Sequence, residues 1–176
     1  MTLKTVFEKV TKAGYWFSVM AVVLLAPVLA VMVICPDRIL INETPSIPYK
    51  VMWLSKPARL HKGAYYAWTI SSPHVHGGKP FLIVKKASCI GGETLSTKGN
   101  EYFCGPFPLG TAKDKSASGA LVEPFRFNGV IPEGNFFGIG HSFRSENGRM
   151  VDDSFDSRYF GLVDFKLVRS VATPLL

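Results

Sequence analysis

The apolar residues of the chain form one long segment followed by many short runs. Residues 15–34 (YWFSVMAVVLLAPVLAVMVI) contain no charged side chain. Twenty helical residues, at about 1.5 Å each, span the roughly 30 Å hydrocarbon core of a bilayer. Such a helix tolerates a proline, here Pro27. The pattern therefore predicts one membrane-spanning helix over residues 15–34.

The rest of the chain has a different pattern of apolar and polar residues. Aromatic and β-branched residues form short runs between glycines and prolines, without helical spacing, at 51–54, 64–70, 81–84, 102–103, 135–139 and 161–168. Such runs are typical of β-strands. We expect residues 36–176 to form a mainly β domain, compact or barrel-like, with its own core. The small polar residues 109–119 (LGTAKDKSASG) predict a long surface loop.

Charge at the N-terminus predicts the orientation of the helix. Lys4, Lys9 and Lys12 make residues 1–14 basic, which by the positive-inside rule keeps them in the cytoplasm and sends the β domain outwards. A cleaved signal peptide is an alternative, although its apolar region would be shorter. Lipid modification of Cys35 is another, although Ile34 is not the small residue that bacterial lipoprotein signals carry before the cysteine.

The formal net charge of +7 adds little beyond this topology. Apart from the N-terminal lysines, the basic residues are scattered among acidic ones, with no basic helix and no array of aromatic residues for base stacking. The composition therefore disfavours a nucleic-acid partner and is compatible with a surface next to anionic lipid.

Ser46 stands between two prolines in residues 44–48 (TPSIP). Each proline fixes its own φ near −65° and disfavours helix at the residue before it, so Thr44 and Ile47 are pushed towards extended geometry. The Ser46 hydroxyl is thereby presented from a stiff backbone, which suits a nucleophile. The alternative is a proline-rich linker that leaves the membrane.

Two lysines follow the apolar residues 81–84 (FLIV), which predict a strand buried on both faces. Strand alternation sends Lys85 and Lys86 to opposite faces, so one can be buried while the other is solvated. A desolvated lysine loses proton affinity and becomes a usable general base near neutral pH. The alternative is a pair of solvated lysines at a strand end.

Residues 153–161 (DSFDSRYFG) predict a turn that enters a strand. Asp156 and Arg158 lie on the same side of this turn and can pair. Taken alone, the segment is a solvated turn with a surface ion pair of little energetic value.

In this order, these segments resemble the type I signal peptidases, which use a Ser/Lys dyad. The resemblance rests on the apolar helix, the serine box at 44–48, the lysine pair followed by residues 90–93 (IGGE), and residues 153–161. Within that family, Ser-Ile-Pro at 46–48 is more similar to the TraF-type peptidases that mature conjugative pilins. The resemblance implies a signal-peptidase-like β-barrel or sheet, no cofactor and no metal.

The resemblance also implies roles for individual residues. Ser46 matches the nucleophile and Lys85 the general base. Thr44 matches a hydroxyl that helps the Ser46 backbone N–H to bind the oxyanion, and Ser154 matches the hydroxyl that holds the lysine amine. Asp156 with Arg158 matches a structural ion pair beside the site.

Departures from the family pattern leave some positions open. Gly140 and His141 are followed by an insertion at 143–152, so the roles of His141, Asp152 and Asp153 are undecided. His74 and His76 are too isolated to complete a tetrahedral metal set. Cys89 and Cys104 would share an oxidising compartment and predict a disulfide, with two unpaired buried thiols as the alternative.

Together these features predict a single-pass serine endopeptidase of a bacterial inner membrane, with its catalytic domain in the periplasm. Its partners would be prepilin or exported precursor polypeptides and membrane lipid. Release of the product by water or by another chain terminus, which would cyclise a pilin, stays open. One alternative is a non-catalytic anchored component of a conjugation or secretion apparatus. A Ser/Lys self-cleaving regulator is another, although a membrane span does not suit it.

Overall fold

A computed structural model of the chain describes residues 3–34, 36–73, 75–116, 119–141, 143–146 and 149–176. Cys35 and His74 therefore lie outside the described residues. The chain divides into two units, Met1–Ile39 and Leu40–Leu176. The expectation of a mainly β chain with one N-terminal apolar helix is confirmed.

The first unit consists mainly of the helix α1, Leu3–Ile34. It begins well before residue 15, because residues 3–14 include strong helix formers such as leucine, lysine and glutamate. Pro27 lies inside α1 without ending it. Its segment Gly14–Val31 has a mean hydropathy of 2.1, so α1 is long and apolar enough to serve as a membrane anchor. A short 3₁₀ helix, Pro36–Arg38, follows.

Thirteen strands are described: β1 (Ile39–Ile41), β2 (Val51–Ser55), β3 (Tyr65–Ile70), β4 (Phe81–Ile90), β5 (Thr94–Lys98), β6 (Glu101–Cys104), β7 (Phe107–Thr111), β8 (Gly129–Val130), β9 (Asn135–Ile139), β10 (Phe143–Glu146), β11 (Arg149–Asp152), β12 (Val163–Asp164) and β13 (Val168–Pro174).

Two sheets and a hairpin contain these strands. The main sheet has the order β1-β2-β13-β3-β4-β9-β12, the smaller sheet has the order β7-β6-β5-β8, and β10 pairs with β11. Every pair with a described register is antiparallel. Buried side chains of β4 and β9 pack against those of β5, β6 and β7, so one core cluster joins the two sheets. Within the insertion at 143–152, Phe143–Glu146 and Arg149–Asp152 pair as β10 and β11.

Five of the six predicted apolar runs lie in strands, but the run at 161–168 does not form one. It holds the two-residue strand β12 and a 3₁₀ helix, Phe165–Leu167. The Asp164 side chain accepts a hydrogen bond from the Lys166 backbone N–H and caps this turn. An aspartate that satisfies a free backbone donor favours a helix start over a continuing strand.

The predicted turn into a strand at 153–161 was also wrong, because Ser157–Phe160 form a short helix, α2. Asp156 caps its N-terminus by accepting from the Arg158 backbone N–H, and Gly161 ends it with a φ of 85°. A four-residue helix is too short to show helical periodicity in a sequence.

The predicted surface loop at 109–119 is in large part fixed to the domain. Residues up to Thr111 belong to β7, and Leu109 and Ala112 are buried in the core. The backbone N–H of Lys113 donates to the Tyr159 hydroxyl at 3.0 Å. Leu109, Ala112 and the Lys113 hydrogen bond thus hold this segment, and the small polar residues around them explain why the sequence predicted a loop.

Candidate active site

The loop between β1 and β2 presents Ser46. Ile47 is buried and anchors the loop in a core cluster with Met52, while Thr44 is exposed. The Thr44 and Ser46 hydroxyl oxygens lie 3.0 Å apart. The structure therefore brings together the two hydroxyl groups that the sequence singled out in this loop.

Lys85 lies in the middle of β4, which continues to Ile90 and does not end at the lysines as the sequence suggested. Lys85 is 3% exposed and Lys86 is exposed, as strand alternation requires. The Lys85 Nζ donates a hydrogen bond of 3.0 Å to Ser154 Oγ, and Ser154 is also 3% exposed. The structure thus buries the lysine with the hydroxyl that the resemblance assigned to it.

Gly140 shows how closely three segments converge at this point. A β-carbon built on Gly140 would stand 2.5 Å from Ser154 Oγ, 2.7 Å from Lys85 Nζ and 2.8 Å from the Ser46 backbone oxygen. Such distances are shorter than van der Waals contact. Only a glycine at 140 therefore lets the lysine amine approach the serine loop.

Asp156 and Arg158 form a fully buried ion pair, not a solvated one. Arg158 Nη2 lies 2.6 Å from Asp156 Oδ2, and Arg158 Nε donates to Asp156 Oδ1 at 2.8 Å. Asp156 Oδ2 also accepts from the Gly140 N–H, and Arg158 Nη2 donates to the Gly140 carbonyl oxygen. The pair thereby fixes both backbone groups of the glycine on which the site converges.

Further contacts hold the segment that carries Ser154. Lys113 Nζ and Asp153 Oδ1 form a half-buried ion pair at 2.9 Å, directly before Ser154. The Tyr102 hydroxyl lies within hydrogen-bond distance of the carbonyl oxygens of Phe125 and Arg158 and donates its one hydrogen between them. Burial raises the pKa of Tyr102 to about 12, so this hydroxyl stays protonated as a donor at neutral pH. Lys113 and Tyr102 were not predicted as parts of the site.

A cavity of about 530 Å³ adjoins Ser46 and Lys85. Its wall is mostly apolar and comes from the serine loop, the first half of β4 and residues 153–155. Leu82 is 44% exposed, so the prediction that residues 81–84 are buried on both faces was wrong. Along residues 81–85 one edge of β4 has no described partner strand, because β9 pairs only with Lys86–Ile90.

Cys89 and Cys104 are joined by a disulfide in the structure and link β4 to β6. Glu93 lies close enough to both sulfurs for the three residues to resemble a metal-binding group. Glu93, however, accepts from Lys62 Nζ and from the Ile90 N–H. A sulfur in a disulfide is also not the thiolate that metal ligation requires.

The remaining open positions lie at the edge of the site. His141 is exposed and directly follows Gly140. The side chains of Ser142 and Asp152 lie outside the described residues, and Asp153 is bound to Lys113. The described hydrogen bond of the Lys85 amine is the one to Ser154 Oγ.

Asn42 is the main residue of the site that sequence reasoning missed. Its side chain contacts four backbone groups of the serine loop as well as the Thr44 hydroxyl. Asparagine is common in loops, because its side chain readily bonds backbone groups two residues further along the chain. Asn42, two residues before Thr44, therefore did not stand out in the sequence. The sequence feature that could have indicated a larger role for Asn42 is the stiff, proline-rich segment that follows it, residues 44–48.

Comparison with known proteins finds a distant likeness. No family model matches the chain, and no curated protein matches it. The solved structures that match include a signal peptidase I from Enterococcus faecalis, which is 22% identical. That match covers 66% of this chain and 98% of the other, with a TM-score of 0.36. A likeness this distant does not decide the activity, which has to be judged from the residues of the site.

Proposed function

We propose that the chain is a membrane-anchored serine endopeptidase in which Ser46 is the nucleophile and Lys85 the general base. The observation that carries this proposal is the burial of the Lys85 amine on Ser154, beside Gly140, where the Ser46 carbonyl oxygen also lies. A lysine of purely structural value would keep its charged end in water, because a buried ammonium is costly. Burial is useful to a lysine that works as a neutral base.

The reaction follows from these groups. Neutral Lys85 takes the proton of the Ser46 hydroxyl, and the serine oxygen attacks a peptide carbonyl to form a tetrahedral anion. The backbone N–H of Ser46 and the Thr44 hydroxyl beside it stabilise this anion. Loss of one such donor typically lowers the rate by about 10²–10³-fold. Lysine returns the proton to the leaving amine. Water or another chain terminus then releases the acyl group from Ser46.

The cavity supports a polypeptide as substrate. The residues of β4 that line it lie in the half of the strand that β9 does not cover. An extended peptide can bind such a strand edge through its main chain while small side chains enter the apolar wall. With the N-terminal helix as an anchor, we propose that the substrates are leader or signal peptides of exported precursors, prepilins of conjugative transfer among them, processed on the periplasmic side of the inner membrane.

The test is mass spectrometry of exported and pilin precursors from cells that carry either the wild-type chain or Ser46→Ala. We expect at least one precursor to accumulate uncleaved with Ser46→Ala and to be processed with the wild type. The mass of the mature product distinguishes hydrolysis, which adds one water, from transpeptidation, which does not. Identical precursor patterns in both strains would contradict the proposal and favour a non-catalytic anchored component.

A further inference from the structure

The direction of the hydrogen bonds around Asn42 is determined by its neighbours. Asn42 Nδ2 faces the carbonyl oxygens of Thr44, Ile47 and Tyr49 at 2.7, 3.3 and 3.0 Å. A carbonyl oxygen only accepts, so the amide nitrogen must be on this side. The amide oxygen Oδ1 is therefore the atom that faces the backbone N–H and the hydroxyl group of Thr44.

This orientation also fixes the two hydroxyl groups of the loop. Asn42 Oδ1 accepts from the Thr44 backbone N–H at 3.2 Å and from the Thr44 hydroxyl at 3.0 Å. The single hydroxyl hydrogen of Thr44 is then used, so Thr44 Oγ1 has only lone pairs to offer to Ser46 Oγ at 3.0 Å. The bonds run in one direction, from Ser46 Oγ–H to Thr44 Oγ1–H to Asn42 Oδ1.

We propose that Asn42 is a positioning residue that acts through Thr44, an inference that rests on the function proposed above. By holding the Thr44 hydroxyl hydrogen, Asn42 makes Thr44 an acceptor that keeps Ser46 Oγ in one orientation before the reaction. In this state Thr44 does not donate to an oxyanion. For the reaction, the Ser46 hydroxyl hydrogen first turns from Thr44 Oγ1 to Lys85, which takes it. The Thr44 hydroxyl hydrogen then turns from Asn42 to the developing negative charge.

Asn42 also has a purely structural role, because Nδ2 faces three carbonyl oxygens of the loop and holds them together. The two roles differ in their dependence on Thr44. Anchoring of the loop does not need the Thr44 hydroxyl, whereas orientation of that hydroxyl has no effect once the hydroxyl is gone. A double-mutant cycle between the two positions therefore separates them.

The experiment measures kcat and KM of the purified full-length chain on the precursor that accumulates in the Ser46→Ala cells. The variants are Asn42→Ala, Thr44→Val and the double variant. Thr44→Ser, alone and with Asn42→Ala, is the matched control, since it keeps a hydroxyl. We expect Asn42→Ala to lower kcat much more than it changes KM in the wild-type and Thr44→Ser backgrounds. In the Thr44→Val background its effect should be smaller by about tenfold or more.

Thermal unfolding of each variant identifies any loss of folded protein. If Asn42→Ala does not fold, Asn42→Leu, which keeps the branched shape of the side chain but has no polar side-chain atoms, takes its place in the cycle. Equal effects of the Asn42 substitution in the Thr44→Val and wild-type backgrounds would overturn the inference and leave Asn42 as a loop anchor. If the wild type cleaves no faster than Ser46→Ala, it is the proposed function that fails.

Discussion

The Lys85 amine and the Ser154 hydroxyl, which are 69 residues apart in the chain, meet at 3.0 Å inside the domain. The lysine comes from the middle of β4 and the serine from the segment before α2. Because the bond to Ser154 directs the amine, Ser154 controls where the proposed base points.

Loss of this hydroxyl should impair the base without removing it. We expect Ser154→Ala to lower kcat by about 10²-fold, the order of magnitude of a misplacement of about 1 Å, with little change in KM. Ser88→Ala is a suitable control, because the Ser88 hydroxyl donates to the Lys86 carbonyl oxygen in the same strand. Steady-state kinetics of both variants decide the point. A Ser154→Ala enzyme as fast as the wild type would show that the lysine needs no such partner.

Gly140 should tolerate no side chain. Gly140→Ala would push a methyl group against Lys85 Nζ, Ser154 Oγ and the Ser46 carbonyl oxygen, all under 3 Å away. The structure gives no positive φ at this residue, so the harm is steric and local to the site. We expect Gly140→Ala to remove most activity. Full activity in a folded Gly140→Ala protein would contradict the described convergence at this residue.

The buried ion pair should matter mainly for stability. Arg158→Ala leaves the buried Asp156 carboxylate without its cation, and loss of one partner of a buried pair typically costs about 3–5 kcal/mol. Lys62→Ala breaks the Lys62–Glu93 pair, whose side chains are 44% and 32% exposed, and should cost about 0–1 kcal/mol. Urea unfolding of the full-length chain in detergent compares the two. Equal losses of unfolding free energy in the two variants would mean that the Asp156–Arg158 pair is no more buried than the Lys62–Glu93 pair.

The sequence predicted the parts of this site that depend on local rules. Lys85 and Lys86 face opposite sides because side chains alternate along any strand, and Ser46 is stiffened by the prolines next to it. These properties require no knowledge of the rest of the fold. The same holds for the apolar anchor helix.

The features that the sequence did not predict depend on contacts that form only when the chain has folded. We expect Gly140 to be essential because three segments meet there, and the residues next to it in the sequence do not indicate this convergence. Asn42 contacts carbonyl groups whose position is set by the folded loop. Residues 109–119 have the composition of a free loop, because the buried Leu109 and Ala112 stand among small polar residues and Lys113 contacts α2 through its backbone N–H.

The pH dependence follows from the use of a neutral amine. Burial disfavours the charged form of a lysine, and Lys85 is 3% exposed. A lysine base is active above its pKa, so kcat/KM should rise with pH and be lost on acidification as Lys85 takes up a proton. Arg158→Ala leaves the negative charge of Asp156 uncompensated, which favours the ammonium and should move the rise to higher pH. A pH limb that disappears in His141→Ala would instead indicate a histidine base.

The most direct test of the central claim compares two neighbouring lysines. Lys85→Met and Lys86→Met keep most of the length of the side chain and remove the amine, one inside the domain and one on its surface. Cleavage of the accumulated precursor by the purified full-length proteins is followed by mass spectrometry. The proposed function predicts that Lys85→Met is as inactive as Ser46→Ala, while Lys86→Met keeps most of the wild-type activity. Activity that survives in Lys85→Met, or is lost in Lys86→Met, would contradict the assignment of Lys85 as the base.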